Sequence, residues 1–243
     1  MKKSVKDDNV ILRMEKTEEE RNIFGKYNKV VIIGQVFKEI TTQEINSKVF
    51  YKTIIKVLRN SDKKDYIPVL IPKELFKEEM EEKWIVIAGE IRTYIKNHVK
   101  TTFLYVRQLE IFNDEADLSE PKDTNIAYLK GYLCQKPYYK ILKREGKNDV
   151  EIVGFCIAVH RNYGKGNQIK TDYIQCVAWR RNDVEQIKKI EMGHMLKIYG
   201  RFQSRFFFKA TSEINVTQVG EVSITEICWK IVKIIKRDKL CPS

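Results

Sequence analysis

The chain repeats itself, and that repetition constrains its fold more than any other feature. Asn28-Lys-Val-Val-Ile-Ile-Gly34 and Asn125-Ile-Ala-Tyr-Leu-Lys-Gly131 place Asn and Gly at the same spacing. In the same order, Thr53-Ile-Ile-Lys-Val-Leu-Arg-Asn60 answers to Phe155-Cys-Ile-Ala-Val-His-Arg-Asn162, and Asp65-Tyr-Ile67 to Asp172-Tyr-Ile174. The apolar strand ending at Gly89 answers to the one ending at Gly200, and the offset grows from 97 to 111 residues as loop insertions would make it. A chain of 243 residues built this way divides into two units of about 100 to 120 residues, each long enough to bury its own core.

Each copy reads as three β-rich segments, a helix and two more strands, which is the order of the oligonucleotide/oligosaccharide-binding (OB) barrel. The expected fold is therefore mainly all-β: two tandem five-stranded OB-fold barrels, each with a helix between strands 3 and 4. In the second copy the strands fall near 125–134, 152–162, 172–180, 195–203 and 219–228. Asp183 would cap a helix carrying Val184, Ile187 and Ile190 on one face, and Pro72, followed by Leu75, Phe76 and Met80, would open its counterpart. The expected domains are a charged N-terminal arm (1–25), a first OB domain (26–113), an acidic linker (114–124), a second OB domain (125–232) and a basic C-terminal tail (233–243).

The net charge of +12 is unevenly held: residues 1–121 carry 22 Lys+Arg against 21 Asp+Glu, and residues 122–243 carry 23 against 12. A basic surplus confined to one half concentrates a polyanion and favours counterion release, which points to nucleic acid as the partner. No apolar run approaches the roughly 18 residues of a membrane span, and the start lacks the apolar core of a secretory signal. The expectation is a cytoplasmic, nucleoid-associated protein with no membrane partner. Five cysteines without a C-x-x-C pair and three scattered histidines offer no ligand spacing, so neither a metal nor a cofactor is expected. There is no G-x-x-x-x-G-K-[ST], H-E-x-x-H or G-x-S-x-G, and Tyr163-Gly-Lys-Gly166 reads as a loop tip, so the chain is not expected to be an enzyme.

The second copy interleaves aromatic and basic residues. Arg161 and Tyr163 follow its second strand, Lys170 lies just ahead of the third, Tyr173, Trp179 and Arg180 belong to the third, and Arg201 and Arg205 to Phe208 come after the fourth. Unpaired bases stack on aromatic rings at about 1–3 kcal/mol each while Lys and Arg follow the phosphates. Strand alternation places Tyr173, Gln175, Val177 and Trp179 on one face and Ile174, Cys176 and Ala178 on the barrel side. Taken singly, any one of these rings could equally be core packing.

On residues 155–163, 171–180 and 200–205, with the opening 125–131 and the closing 220–224, the second copy resembles the bacterial single-stranded DNA-binding protein family. The resemblance implies non-catalytic, largely sequence-independent binding and protection of single-stranded DNA during replication, recombination or repair. It implies base stacking on Tyr163, Tyr173, Trp179 and Phe207, and a homodimer giving four OB folds. The first copy keeps Tyr66 where the second has Tyr173, but Pro72 and Lys96 stand where Trp179 and Phe207 do. It reads as a scaffold or assembly barrel with weaker DNA contact through Tyr66, Arg92 and Tyr94, and Trp84 reads as core. The carboxyl end, 234–243, has no acidic tip of the kind through which family members recruit replication and repair proteins, so recruitment by that route is not implied. The stacking residues would serve RNA as well as DNA. An OB-fold RNA-binding protein, or a primosome-like adaptor acting mainly through protein contacts, is the alternative.

Overall fold

The computed structural model describes residues 28–45, 47–59, 63–96, 99–112, 125–161, 170–207 and 217–228. The first half holds β1 (Asn28–Val36), β2 (Thr41–Ile45), β3 (Lys48–Leu58), β4 (Lys64–Pro72), β5 (Trp84–Lys96) and β6 (Val99–Ile111). The second holds β7 (Asn125–Leu133), β8 (Tyr138–Arg144), β9 (Lys147–His160), β10 (Thr171–Ala178), α1 (Arg181–Lys188), β11 (Met195–Phe207) and β12 (Thr217–Cys228).

In the first half β1 pairs antiparallel with both β3 and β5, β3 with β4 and β5 with β6, and β4 lies parallel to β6. The ring β1-β3-β4-β6-β5 thus returns to its start. The second half repeats it as β7-β9-β10-β12-β11. Each ring is filled by the alternate apolar residues of its strands, such as Val30 and Ile32 in one and Phe155, Ile157 and Phe202 in the other. Outside each ring lies one further strand, β2 hairpinned to β3 and β8 to β9, so the described residues of each half form six strands where five were expected. Both extra strands are solvent-facing on nearly every residue and carry no apolar alternation that sequence reading could detect.

The helix α1 falls between β10 and β11, burying Val184 and Ile187, with Ile190 buried just past its end. Asp183, expected as its cap, sits inside the first turn and is buried; Arg180 occupies the capping position without a side-chain bond. The helix expected in the first half is instead two 3-10 turns, Lys73–Leu75 and Glu78–Met80. Between them the backbone at Phe76 is extended, and its ring stacks on Tyr51 with centroids 3.6 Å apart, while Met80 enters the core. Those separate packing contacts break the apolar stripe. Gly89 and Gly200 are likewise not strand ends: the register slips at Ala88/Gly89 and Tyr199/Gly200, and the strands run on. These are β-bulges, and a Cβ at Gly89 would fall 2.2 Å from the Tyr105 carbonyl oxygen.

The halves join edge to edge, β1 running antiparallel to β7 from Asn28↔Leu129 to Ile32↔Asn125. The shared Asn has a role in this arrangement. Asn28 accepts from the Ile91 N–H at 2.9 Å and donates to its carbonyl at 2.7 Å, and Asn125 does the same with Phe202 at 2.9 and 2.6 Å. Each side chain pins the first strand of a ring to the strand beyond its bulge. Among the described residues no helix is long and apolar enough to cross a membrane.

Candidate nucleic-acid interface

Cross-strand register assembles one outward face on the second ring. Tyr132 of β7 and Tyr173 of β10 both pair with Ala158 of β9, so two rings, 41% and 48% exposed, flank a small residue on the same side. Four residues back along β9, Gly154 pairs with both Tyr138 and Val177. The Tyr138 ring lies over that glycine, where a Cβ would come within 2.1 Å of it. Next in the series Lys140 pairs with Ile152, beside the end of β10 where exposed Trp179 follows Ala178. Tyr132, Tyr138 and Lys140 are absent from the sequence-level candidates. Alternation along β7 marks Tyr132 as outward, but its adjacency to Tyr173 depends on pairing across β9, which is not written in either strand alone.

The sequence candidates divide. Tyr173, Trp179, Arg180 and Lys170 are exposed along or beside β10. Arg161 turns toward the seam between the halves: its Nε and Nη2 donate to the Asp172 carboxylate at 2.8 and 2.7 Å, and Nη2 reaches the Thr93 carbonyl at 3.4 Å. Asp172, fully buried, also accepts from Arg92 Nη1 at 2.7 Å and from the Thr93 N–H at 2.8 Å. Burial pushes this carboxyl up, but the bonds from Arg161 and the Thr93 amide and the charge of Arg92 outweigh it, holding Asp172 below the ordinary carboxylate range. Arg92, expected as a surface contact of the first half, is only 4% exposed and pairs with Glu90 as well as Asp172. Arg201 is also half-buried, 3.7 Å from Asp65; burial pushes its guanidinium down and Asp65 works against that.

In the first half, the row equivalent to Tyr132–Ala158–Tyr173 is Gln35–Lys56–Tyr66. Tyr66 is half-buried and its ring meets Phe37 at 4.8 Å between centroids; Phe37 is 49% exposed, with Lys56 Nζ 6.0 Å from its ring. Phe37 is a further residue that sequence reading misses, because it lies just past β1. Tyr94 is exposed, and Trp84, expected in the core, is half-buried on the outer side of β5. Tyr163 lies outside the described residues, as do the side chains of Arg205 and Phe207, whose backbone belongs to β11.

Residues 124–231 match the family model described as the Single-strand binding protein family. The matched residues take in nearly all of the second half, somewhat under half of the 243-residue chain. A single-stranded DNA-binding protein of Staphylococcus epidermidis (strain ATCC 12228 / FDA PCI 1200) is 34% identical over 74 residues. That match takes in 30% of this chain and 56% of the relative, so it spans little more than half of the relative's length. The fold is that of the wild-type single-stranded DNA binding protein from Thermus aquaticus, at TM-score 0.60 and 13% identity over 90% of this chain and 98% of that one. A deletion mutant of the same Thermus protein gives TM-score 0.60 at 12% identity over 87% and 98%.

Proposed function

We propose that the chain binds and protects single-stranded DNA, largely without sequence preference and without catalysis, during replication, recombination or repair. The observation that carries this reading is the outward face of β7, β8, β9 and β10, where Tyr132, Tyr173, Tyr138 and Trp179 stand among small and basic residues. This is the sheet face on which OB folds hold oligonucleotides. The two tyrosine-bearing strands are about 10 Å apart across β9, room for a base on each ring. The basic surplus of residues 122–243 supports the same half as the principal binder.

In this reading residues 26–113 and 125–232 are two OB domains in tandem, joined by the 114–124 linker, with the first serving mainly as scaffold. The two strand rings support that division. Two copies of the chain would give four OB folds. The outer face of the sheet β5-β1-β7-β11 suits such pairing, since Val31, Val86 and Ala88 cluster there beside exposed Ile126 and the Tyr128–Tyr199 ring pair at 4.9 Å. The cell compartment proposed is the cytoplasm, at the nucleoid.

A filter-binding titration with single-stranded DNA, duplex DNA and RNA of matched length tests the reading. Tight binding of single-stranded DNA with weaker duplex binding is expected. Preference for RNA would favour the RNA-binding alternative, and salt-insensitive or absent binding the adaptor.

A further inference from the structure

Tyr173 is held in place by the other half of the chain. Its backbone N–H donates to Thr93 Oγ1 at 3.2 Å, while the Thr93 N–H donates to Asp172 Oδ1 at 2.8 Å. Thr93 lies near the end of the β5–β6 hairpin, opposite Thr102, and Ile95 stands opposite Lys100. Positions two apart along a strand share a side, so Thr93, Thr102 and Lys100 belong to the side of the hairpin that meets β10. Lys100 is exposed there. Its charge also reaches the second half: burial pushes the Cys156 thiol up to about 12, and Lys100 acts in the opposite direction. Cys156 pairs with Gln175 and therefore lies on the outer face of β9, between the Ala158 and Gly154 rows. The same clamp recurs on the other side of the seam, where the Tyr66 N–H donates to Ser204 Oγ at 2.8 Å and the Ser204 N–H to Asp65 Oδ1 at 3.1 Å.

We propose that the single-strand site of the second half is composite: the β5–β6 hairpin of the first half forms one wall, Thr93 positioning Tyr173 and Lys100 presenting a cation to a phosphate of the bound strand. This deepens the reading of the second half as a DNA-binding face and rests on it. An open sheet face can stack bases but offers the backbone little on its flank. A neighbouring hairpin carrying a lysine supplies that flank, and its hydroxyl holds the stacking residue at a fixed height.

The test uses the full chain and oligothymidine. Lys100→Ala, at an exposed position, should weaken binding several-fold at low salt and lower the slope of log affinity against log salt by about 0.7, the share of one phosphate on a single strand. For Thr93, strands carrying bromodeoxyuridine are photocrosslinked at saturation, and the yield at the Tyr173 peptide is read. Thr93→Val should reduce that yield, and Thr93→Ser should restore it. Wild-type slope and affinity in Lys100→Ala together with wild-type crosslinking in Thr93→Val overturn the composite site. Trp179→Ala keeps the two levels apart. A chain that binds through Trp179 yet ignores Lys100 and Thr93 retains the proposed function and loses the composite site, whereas a chain that binds no oligothymidine loses both.

Discussion

Asp65 and Asp172 stand at the same step of the internal repeat, and both are fully buried at the seam between the halves. Each accepts from the N–H of a hydroxyl residue on the opposite half, Ser204 in one case and Thr93 in the other. Each also takes an arginine of its own half, Arg59 or Arg161, through two nitrogens. They differ in the arginine that crosses the seam: Arg92 bonds Asp172 at 2.7 Å, while Arg201 comes only to 3.7 Å from Asp65. The outward rows differ more, since Tyr132–Ala158–Tyr173 faces solvent on one ring and Gln35–Lys56–Tyr66 on the other. The surfaces that join the halves have stayed nearly symmetric, and the faces turned to solvent have separated.

The largest effect should come from breaking the better-built clamp. Asp172→Ala leaves Arg92 and Arg161 facing each other without their carboxylate, a loss of about 3–5 kcal/mol for a buried pair. Asp65→Ala should cost less, because its crossing arginine, Arg201, stands 3.7 Å away and is 17% exposed, whereas Arg92 bonds Asp172 at 2.7 Å and is 5% exposed. Urea titration of both variants measures the difference; equal losses would mean that the crossing arginine contributes nothing. Acid should act on the same carboxylate. A lowered folded value means that the contribution of Asp172 is complete above the ordinary Asp value of about 3.9 and is lost as pH falls through the lowered one. Melting curves below about pH 4 should therefore fall more steeply for the native chain than for Asp172→Asn. Parallel curves would contradict that assignment.

Next in size are the stacking residues. Tyr173→Ala and Trp179→Ala should each weaken oligothymidine binding by about 1–3 kcal/mol, or roughly 5- to 150-fold, with fluorescence quenching lost mainly in the Trp179 variant. Tyr66→Ala should do less, its ring being half-buried against Phe37. An equal loss from Tyr66→Ala would show that both faces bind alike and that charge alone is a poor guide to the division of labour.

The duplication was legible because its markers sit where geometry allows few substitutes. Asn28 and Asn125 bridge strands, and Gly89 and Gly200 stand opposite bulges in β6 and β12. The hairpin strands β2 and β8 were not legible, since exposed segments of five and seven residues show no alternation. Arg161 illustrates a different limit. In sequence it is one more cation beside an aromatic, and only the fold reveals that Asp172, eleven residues on, accepts it in a buried pair with Thr93 alongside. Asp172 itself was visible only as a marker of the repeat. Tyr132 and Tyr138 were hidden for the same reason: their place beside Tyr173 is set by β9, not by their own neighbours.

The smallest expected effect concerns the face that sequence reading discounted. Exposed Phe37 and half-buried Tyr66 form a ring pair with Lys56 close by, the first half's remaining version of the aromatic row. If single strands touch this face at all, the contact is edge-on to a tilted pair, with planes 55° apart, and not a flat stack on an open ring. Phe37→Ala should then weaken binding by less than a full stacking contribution, about 1 kcal/mol or under. The readout that matters is the number of nucleotides occluded per chain at saturation. That number should drop in Phe37→Ala if the strand runs from the second face onto the first, and stay constant if the first ring is scaffold alone. Tyr132→Ala is the matching change on the second face and should lower affinity more than Phe37→Ala does. The reverse order would place the tighter contact on the near-neutral half, and the exposed aromatic rows would then rank the two faces wrongly.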